Sequence, residues 1–407
     1  MERKKLLVLG VSISLVLLLA VSLLVGACAK PAPPAEKTLQ IGGLMGLTGF
    51  FTVNDTPDWN EALIAADLMN EQGGITVNGQ AYKVELVVED IKSAMDGTTA
   101  AANRLVYDKG MKFIIGPCAY FASAAAPVTN PAQVMYISTW CCQTPGEVDA
   151  TTPYAFTTSH GSLPSAIAAM KFMKQAYPEV KKVALVSPDD GAIPYLIPIV
   201  KNSLAAEGFT VVGDVIPYPN EMQDFSPIVA KILSLEGIDG VFQANGLGPH
   251  VGAIVKGLRE AGFDKPYAAS MPTPVSEFIA IAGLSAVEDV FSVCLIPNDP
   301  DNPPLVQEII DRTLAQYGEG YSLKFMSANA LWVYKNIIEA ADSLDPTVVK
   351  AKFESMDKVD TLFGPGTICG DETYGIKHHF VAHPLPIDWV QNGQIIPGGW
   401  IDVGFLP

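Results

Sequence analysis

The sequence predicts an α/β chain built as two doubly wound parallel-sheet units, and three observations carry that expectation. Strand-length apolar runs recur at residues 39–41, 84–88, 113–115, 134–137, 183–186, 211–212, 241–242 and 290–295, many of them β-branched. Amphipathic helical stretches alternate with them, and strand-helix-strand repetition at this spacing implies parallel sheets with helices on both faces. About ten strands exceed one small sheet, and at roughly 100–200 residues per domain the 407 residues fill two or three domains. No short-period repeat is present, which removes solenoids and propellers.

Along the chain, the first segment reads as an address. Arg3, Lys4 and Lys5 precede an unbroken apolar stretch over residues 6–25, then Gly26, Ala27 and Cys28. The stretch is long enough to span a bilayer, so an uncleaved anchor is one reading. Residues 25–28 (Val-Gly-Ala-Cys) resemble a bacterial lipoprotein processing site, which implies removal of the signal peptide, residues 1–27, and a lipid on Cys28. Residues 28–37 form a Pro-rich, stiff tether consistent with a lipid-anchored body outside the cytoplasm. The first helix then opens at Thr56-Pro57-Asp58, with Thr56 as N-cap, Pro57 as first helical residue and Gly73-Gly74 as the stop. Ala62, Leu63, Ala66 and Met69 supply its apolar positions. Further helices are expected over 98–107, 163–176, 194–206, 225–235, 249–261, 305–317 and 327–340.

Composition narrows the function. An apolar fraction of 49% with 17% charged residues supports a large core rather than disorder. Net charge is −17, with 43 acidic against 26 basic residues and no polybasic run, which argues against nucleic acid. Beyond Cys28 there are five cysteines, Cys118, Cys141, Cys142, Cys294 and Cys369, with no C-x-x-C spacing for zinc. A bridge from Cys118 to Cys141 or Cys142 is one expectation, and buried free thiols throughout is the other.

In doubly wound sheets, ligands sit beyond the carboxyl ends of the strands. The strand ends here are residues 46–51, 116–121, 138–143, 187–191 and 243–246, rich in aromatics, small residues and neutral hydrogen-bonding groups. Such a lining suits a compact, partly apolar small molecule. Phe50, Phe51, Tyr120, Phe121 and Trp140 are the candidate packing surfaces, with Cys141, Asp190 and Met271 beside them. Gln243 and Asn245 are expected to offer neutral hydrogen bonds from the second unit.

Leu47-Thr48-Gly49, the helix at 62–71 with Asn70 and Gly73-Gly74-Ile75, residues 87–90 and 114–117, and Asp224-Phe225 occur in order. Together they resemble the type I periplasmic binding proteins of the leucine/isoleucine/valine receptor group, over nearly everything after Thr38. That resemblance implies two lobes, 38–157 with 295–361 and 158–294 with 362–407, joined by a three-segment hinge. It also implies a solute trapped between the lobes and delivered to the permease and ATPase subunits of an ABC importer. In that group a Ser and a Thr after the third and fourth strands hold the amino-acid carboxylate, and an acid on the second lobe holds the ammonium. Here the matching loops carry Tyr120-Phe121 and Trp140-Cys141-Cys142, and no acid stands near residues 270–273. An unpaired buried ammonium is costly, so an aromatic acid or amide fits these loops at least as well as a branched-chain amino acid.

Enzyme chemistry finds little support. There is no G-x-S-x-G elbow, no phosphate loop and no G-x-G-x-x-G, and no cofactor is expected. His378, His379 and His383 lie near Asp371 and Glu372, yet Pro384 and Pro386 interrupt any helix that would align them on a metal, so a solvated loop or hairpin is expected. A ligand-sensing ectodomain shares the same fold class. It would continue into a transmembrane helix, and the sequence runs to Pro407 without one, favouring a receptor for transport.

Overall fold

The computed structural model describes residues 37–140, 147–159, 161–189, 191 and 193–404. The first lobe opens with β1 (Lys37–Met45), α1 (Thr52–Glu71), β2 (Ile75–Val77), β3 (Gln80–Asp90) and α2 (Met95–Asn103). β4 (Phe113–Cys118), α3 (Ala122–Thr129), β5 (Met135–Thr139) and β6 (Ala155–Thr158) follow. The second lobe runs through α4 (Ser162–Ala176), β7 (Lys182–Pro188), α5 (Ile193–Ala206), β8 (Thr210–Val211), β9 (Ile216–Tyr218) and α6 (Ser226–Leu233). It continues with β10 (Gly240–Gln243), α7 (Gly248–Glu260), β11 (Tyr267–Ala269), α8 (Val275–Ala282) and β12 (Val290–Ser292). The chain returns to the first lobe for α9 (Pro304–Tyr317), α10 (Met326–Ala341), α11 (Pro346–Glu354), β13 (Lys358–Thr361), β14 (Gly364–Cys369), α12 (Asp371–Tyr374) and β15 (Phe380–Ala382). It ends in the second with β16 (Leu385–Gln391) and β17 (Gln394–Ile401).

Two sheets result. The first has nine strands in the order β13-β14-β15-β6-β5-β4-β1-β3-β2, and the second eight, β17-β16-β12-β11-β10-β7-β8 with β9 paired to β7. The runs β15-β6-β5-β4-β1 and β12-β11-β10-β7 are parallel; β8 and β9 also add parallel to β7 at one edge of the second sheet, and antiparallel hairpins finish the other three edges. Two of those hairpins turn on Asn-Gly pairs with positive φ at both residues, Asn78-Gly79 (51°, 71°) and Asn392-Gly393 (52°, 68°). That conformation matches the right-handed twist of the flanking strands.

Three expectations need correction. The third crossing does not fall near Leu362: β13, β14 and β15 extend the first sheet, and the chain changes lobes at His383-Pro384. The reason lies in β15, a fully buried strand that adds parallel to β6, dragging its antiparallel partner β14 with it. Helix α1 begins at Thr52 rather than at Thr56, and Pro57 stands inside it. Its ring removes one bond to the carbonyl of Val53, a residue on an exposed turn where water can replace the donor. Within the same helix Leu63 points outward, whereas Asp55, Asp58 and Glu61 are fully buried.

Helices α1, α9 and α10 share one apolar core with the first sheet. Gly43 permits the contact, because a Cβ there would lie 2.3 Å from the Trp59 ring. Asn70 then ties α1 to β3: its amide donates to the Val84 carbonyl at 2.8 Å and accepts from the Val84 N–H at 2.7 Å, replacing a missing strand neighbour.

Candidate functional site

Because each crossover returns the next strand in the same direction, the loops at the strand carboxyl ends gather at one edge of a sheet. Here the two edges face each other across a cleft of about 190 Å³. The first lobe lines it with Phe50, Phe51, Cys118, Tyr120 and Trp140. The second contributes Ser162, Pro188, Asn220, Glu221, Asn245, Gly246, Leu247 and Met271. An apolar cavity of roughly 150 Å³ is enough for benzene, so this one accommodates a solute of about one ring with a polar end.

The aromatic wall is a packed unit. Phe51 meets Trp140 edge-on at 5.6 Å and 81°, and Phe50 meets Phe51 at 5.8 Å and 82°. Phe121 packs behind both at 6.3 Å and does not reach the cleft. Trp140 is buried and holds φ at 57°, a left-handed turn that ends β5 and swings the indole under α1. Phe50 stays 59% exposed, so it forms the mouth.

Gln243 does not line the cleft, contrary to expectation. Its amide Nε2 donates to the Tyr218 hydroxyl at 2.7 Å and its Oε1 accepts from Tyr267, inside the second lobe. A Cβ on Gly246 would lie 2.0 Å from that amide. Gln243 therefore supports the rim from below, while Asn245, at φ 62°, presents the rim itself. Asp190, Cys141, Cys142 and Cys28 lie outside the described residues, so the proposed bridge to Cys118 does as well.

Ser162, Asn220, Glu221 and Leu247 were missed by sequence reasoning, whereas Pro188 falls in the expected strand end at 187–191. Asn220 and Glu221 follow β9, a three-residue strand whose Ile-Pro-Tyr alternation was the available signal. Glu221 is an acid of the second lobe in the cleft lining, and it stands exposed at the rim.

Beneath the wall runs a row of acids on successive turns of α1. Asp55 accepts from the Gly46 N–H at 2.7 Å, Asp58 from the Ser327 N–H at 3.0 Å, and Glu61 from the Lys324 N–H at 3.0 Å. Burial pushes Asp55 up to about 8, with the Gly46 bond and the neighbouring Trp140 indole offsetting part of it. The same desolvation pushes Asp58 up to about 6 and Glu61 well above the carboxylate range. At the other end of the loop burial raises the Asp90 carboxyl, but the bonds it accepts from Thr48, Lys92 and Leu47 together outweigh that and hold it below the usual range.

The histidines are not a solvated loop. His379 is buried, stacks on Phe156 at 4.1 Å and contacts Glu354 and the Ala155 carbonyl. His383 lies at the lobe crossing, where Nδ1–H donates to the Pro384 carbonyl and Nε2 accepts from Asn329 at 3.1 Å; burial pushes it down to about 4. Among the described residues no group of three or more His, Cys, Asp or Glu side chains could hold a metal ion. No helix among them is long and apolar enough to cross a membrane.

Two lobes that present their strand ends to a shared, enclosed cleft define a solute-binding protein. The chain belongs to the family described as periplasmic binding protein, whose model matches residues 38–387. It is 26% identical over 373 residues to the Leu/Ile/Val-binding protein BraC3 of Rhizobium johnstonii, covering 90% of this chain and 95% of that one. Among solved structures it resembles the branched-chain amino acid substrate-binding protein LivJ of Streptococcus pneumoniae in complex with isoleucine (19% identity, 90% and 99% of the two chains, TM-score 0.70). An ABC transporter solute-binding protein of R. palustris in complex with benzoate is similar at 18% identity, 89% and 96% coverage and TM-score 0.66.

Proposed function

We propose that this protein is the extracytoplasmic receptor of an ABC importer. It captures a small, mainly apolar or aromatic solute between its lobes and passes it to a permease driven by an ATPase subunit. The solute classes that suit the cleft are aromatic acids, amides and branched-chain amino acid-like molecules. The observation that carries this reading is the aromatic wall of Phe50, Phe51, Tyr120 and Trp140 facing the amides of Asn220 and Asn245. The three crossings, with the third placed at His383-Pro384, would act as the hinge.

A thermal-shift panel of leucine, valine, phenylalanine, benzoate, dicarboxylates and short amides tests it. A solute at a hundred times its Kd adds about 2.7 kcal/mol to stability, a shift of several degrees. Benzoate, phenylalanine or an amide is expected to stabilise the protein. Stabilisation by leucine or valine alone would reject the aromatic reading of the wall.

We also propose that Cys28 carries a lipid after removal of residues 1–27. Intact-mass measurement on detergent-extracted protein is expected to show that loss plus acyl mass. A species still beginning at Met1 would end the idea.

A further inference from the structure

Behind the aromatic wall, on the side away from the cleft, lies a buried ammonium that none of the foregoing uses. The Lys324 side chain is only 2% exposed. Its backbone belongs to the first lobe, where Glu61 accepts its N–H and that of Phe325, and where Phe325 takes φ 63° to start α10. The side chain leaves that lobe. Nζ donates to the Pro272 carbonyl at 3.3 Å and sits 3.8 Å from Glu277 Oε1, both in the second lobe ahead of and within α8. One residue pair along, the Ser322 hydroxyl donates to the same Glu277 oxygen at 2.8 Å. Nζ also stands 5.8 Å over the ring of Trp140, whose indole lines the cleft.

An ammonium leaves water only where compensating partners wait for it. Here those partners come from both sides: the carbonyl and carboxylate of the second lobe, and the electron-rich indole face of the first. Drawing the lobes apart would strip the second-lobe partners and return Nζ to water. Glu61, buried within α1, keeps the segment aimed whichever way the lobes stand.

We propose that Lys324 is a positioning residue that latches the second lobe to the first, and that the latch forms with or without solute in the cleft. By lying over Trp140 it couples closure to the wall against which a solute packs. The coupling to solute rests on the receptor function proposed above; the latch itself does not.

Small-angle scattering of the full chain without added solute, for the wild type, Lys324→Met, Glu277→Gln and the double variant, tests the latch. Methionine keeps an unbranched apolar stem, and Glu277→Gln keeps an acceptor for Ser322, so the second variant stays informative if the first folds poorly. The expected result is a larger radius of gyration in each single variant and no further expansion in the double variant. Dimensions equal to wild type in folded Glu277→Gln and Lys324→Met proteins would overturn the proposal. For any solute that stabilises the wild type, release from both variants should be on the order of tenfold faster, as when one partner of a desolvated charge pair is removed. Expanded variants alongside a panel without hits would leave the latch standing and reject the receptor function instead.

Discussion

Trp140→Ala is expected to weaken solute binding by about 2–3 kcal/mol, roughly 30- to 150-fold in Kd. The indole forms the base of the cleft, and its loss removes buried apolar area, an edge-on contact with Phe51 at 5.6 Å and the ring beneath the Lys324 ammonium. Stacking alone contributes about 0.5–1.5 kcal/mol beyond area, and lost burial supplies the rest. Alanine inherits the same left-handed backbone at φ 57°, so the comparison isolates the side chain from the turn. Trp140→Phe keeps a flat ring and should lose within about 1 kcal/mol. Titration calorimetry with the best solute of the panel decides it. An alanine variant that folds normally and binds within twofold of wild type would show that the wall is structural packing only.

The second large effect is on stability against pH. Folding removes the Asp55 carboxyl from water and pushes it up to about 8, from the ordinary 3.8 that it keeps in the unfolded chain. Between those values the native state holds a proton that the unfolded chain releases, so stability falls as pH rises, by up to about 1.4 kcal/mol per pH unit. The loss is complete above pH 8 and absent below about 4. Asp58, near 6, and Asp388, near 7, act in the same direction. His383, held neutral down to about 4, opposes them on the acid side: its contribution is lost as pH falls from 6.5 through 4. Asp55→Asn retains an acceptor for the Gly46 N–H and carries no titrating proton. Denaturation midpoints from pH 5 to 9 should therefore fall steeply for wild type and distinctly less for the variant, which becomes the more stable of the two at the alkaline end. Parallel curves would mean that Asp55 is not the protonated group.

Local chemistry was enough to lay out much of this protein. Alternating apolar runs and helices specified parallel sheets, since a crossover helix must return each strand in the same sense. The rule that solutes sit beyond strand carboxyl ends named Phe50, Phe51, Tyr120, Trp140 and Asn245, and the structure lines one cleft with them. What a short window cannot contain is the partner that arrives from far along the chain. Gln243 and Asn245 are two residues apart with similar chemistry. Only the hydroxyls of Tyr218 and Tyr267 decide that the first turns inward and the second faces the cleft. Asp55, Asp58 and Glu61 have the spacing of an ordinary solvated helix face. They become buried acceptors because the loops at Gly46 and residues 324–327 lie across them, over 260 residues away in the case of Ser327. The third lobe crossing escaped for the same reason, because β15 joins the first sheet through β6, with Phe380 in register with Thr157 223 residues earlier and the His379 side chain bonded to the Ala155 carbonyl. Periodicity reports which way a side chain points along its own element, but burial, and with it charge state and function, depends on what packs against that face. That is set only when distant segments meet.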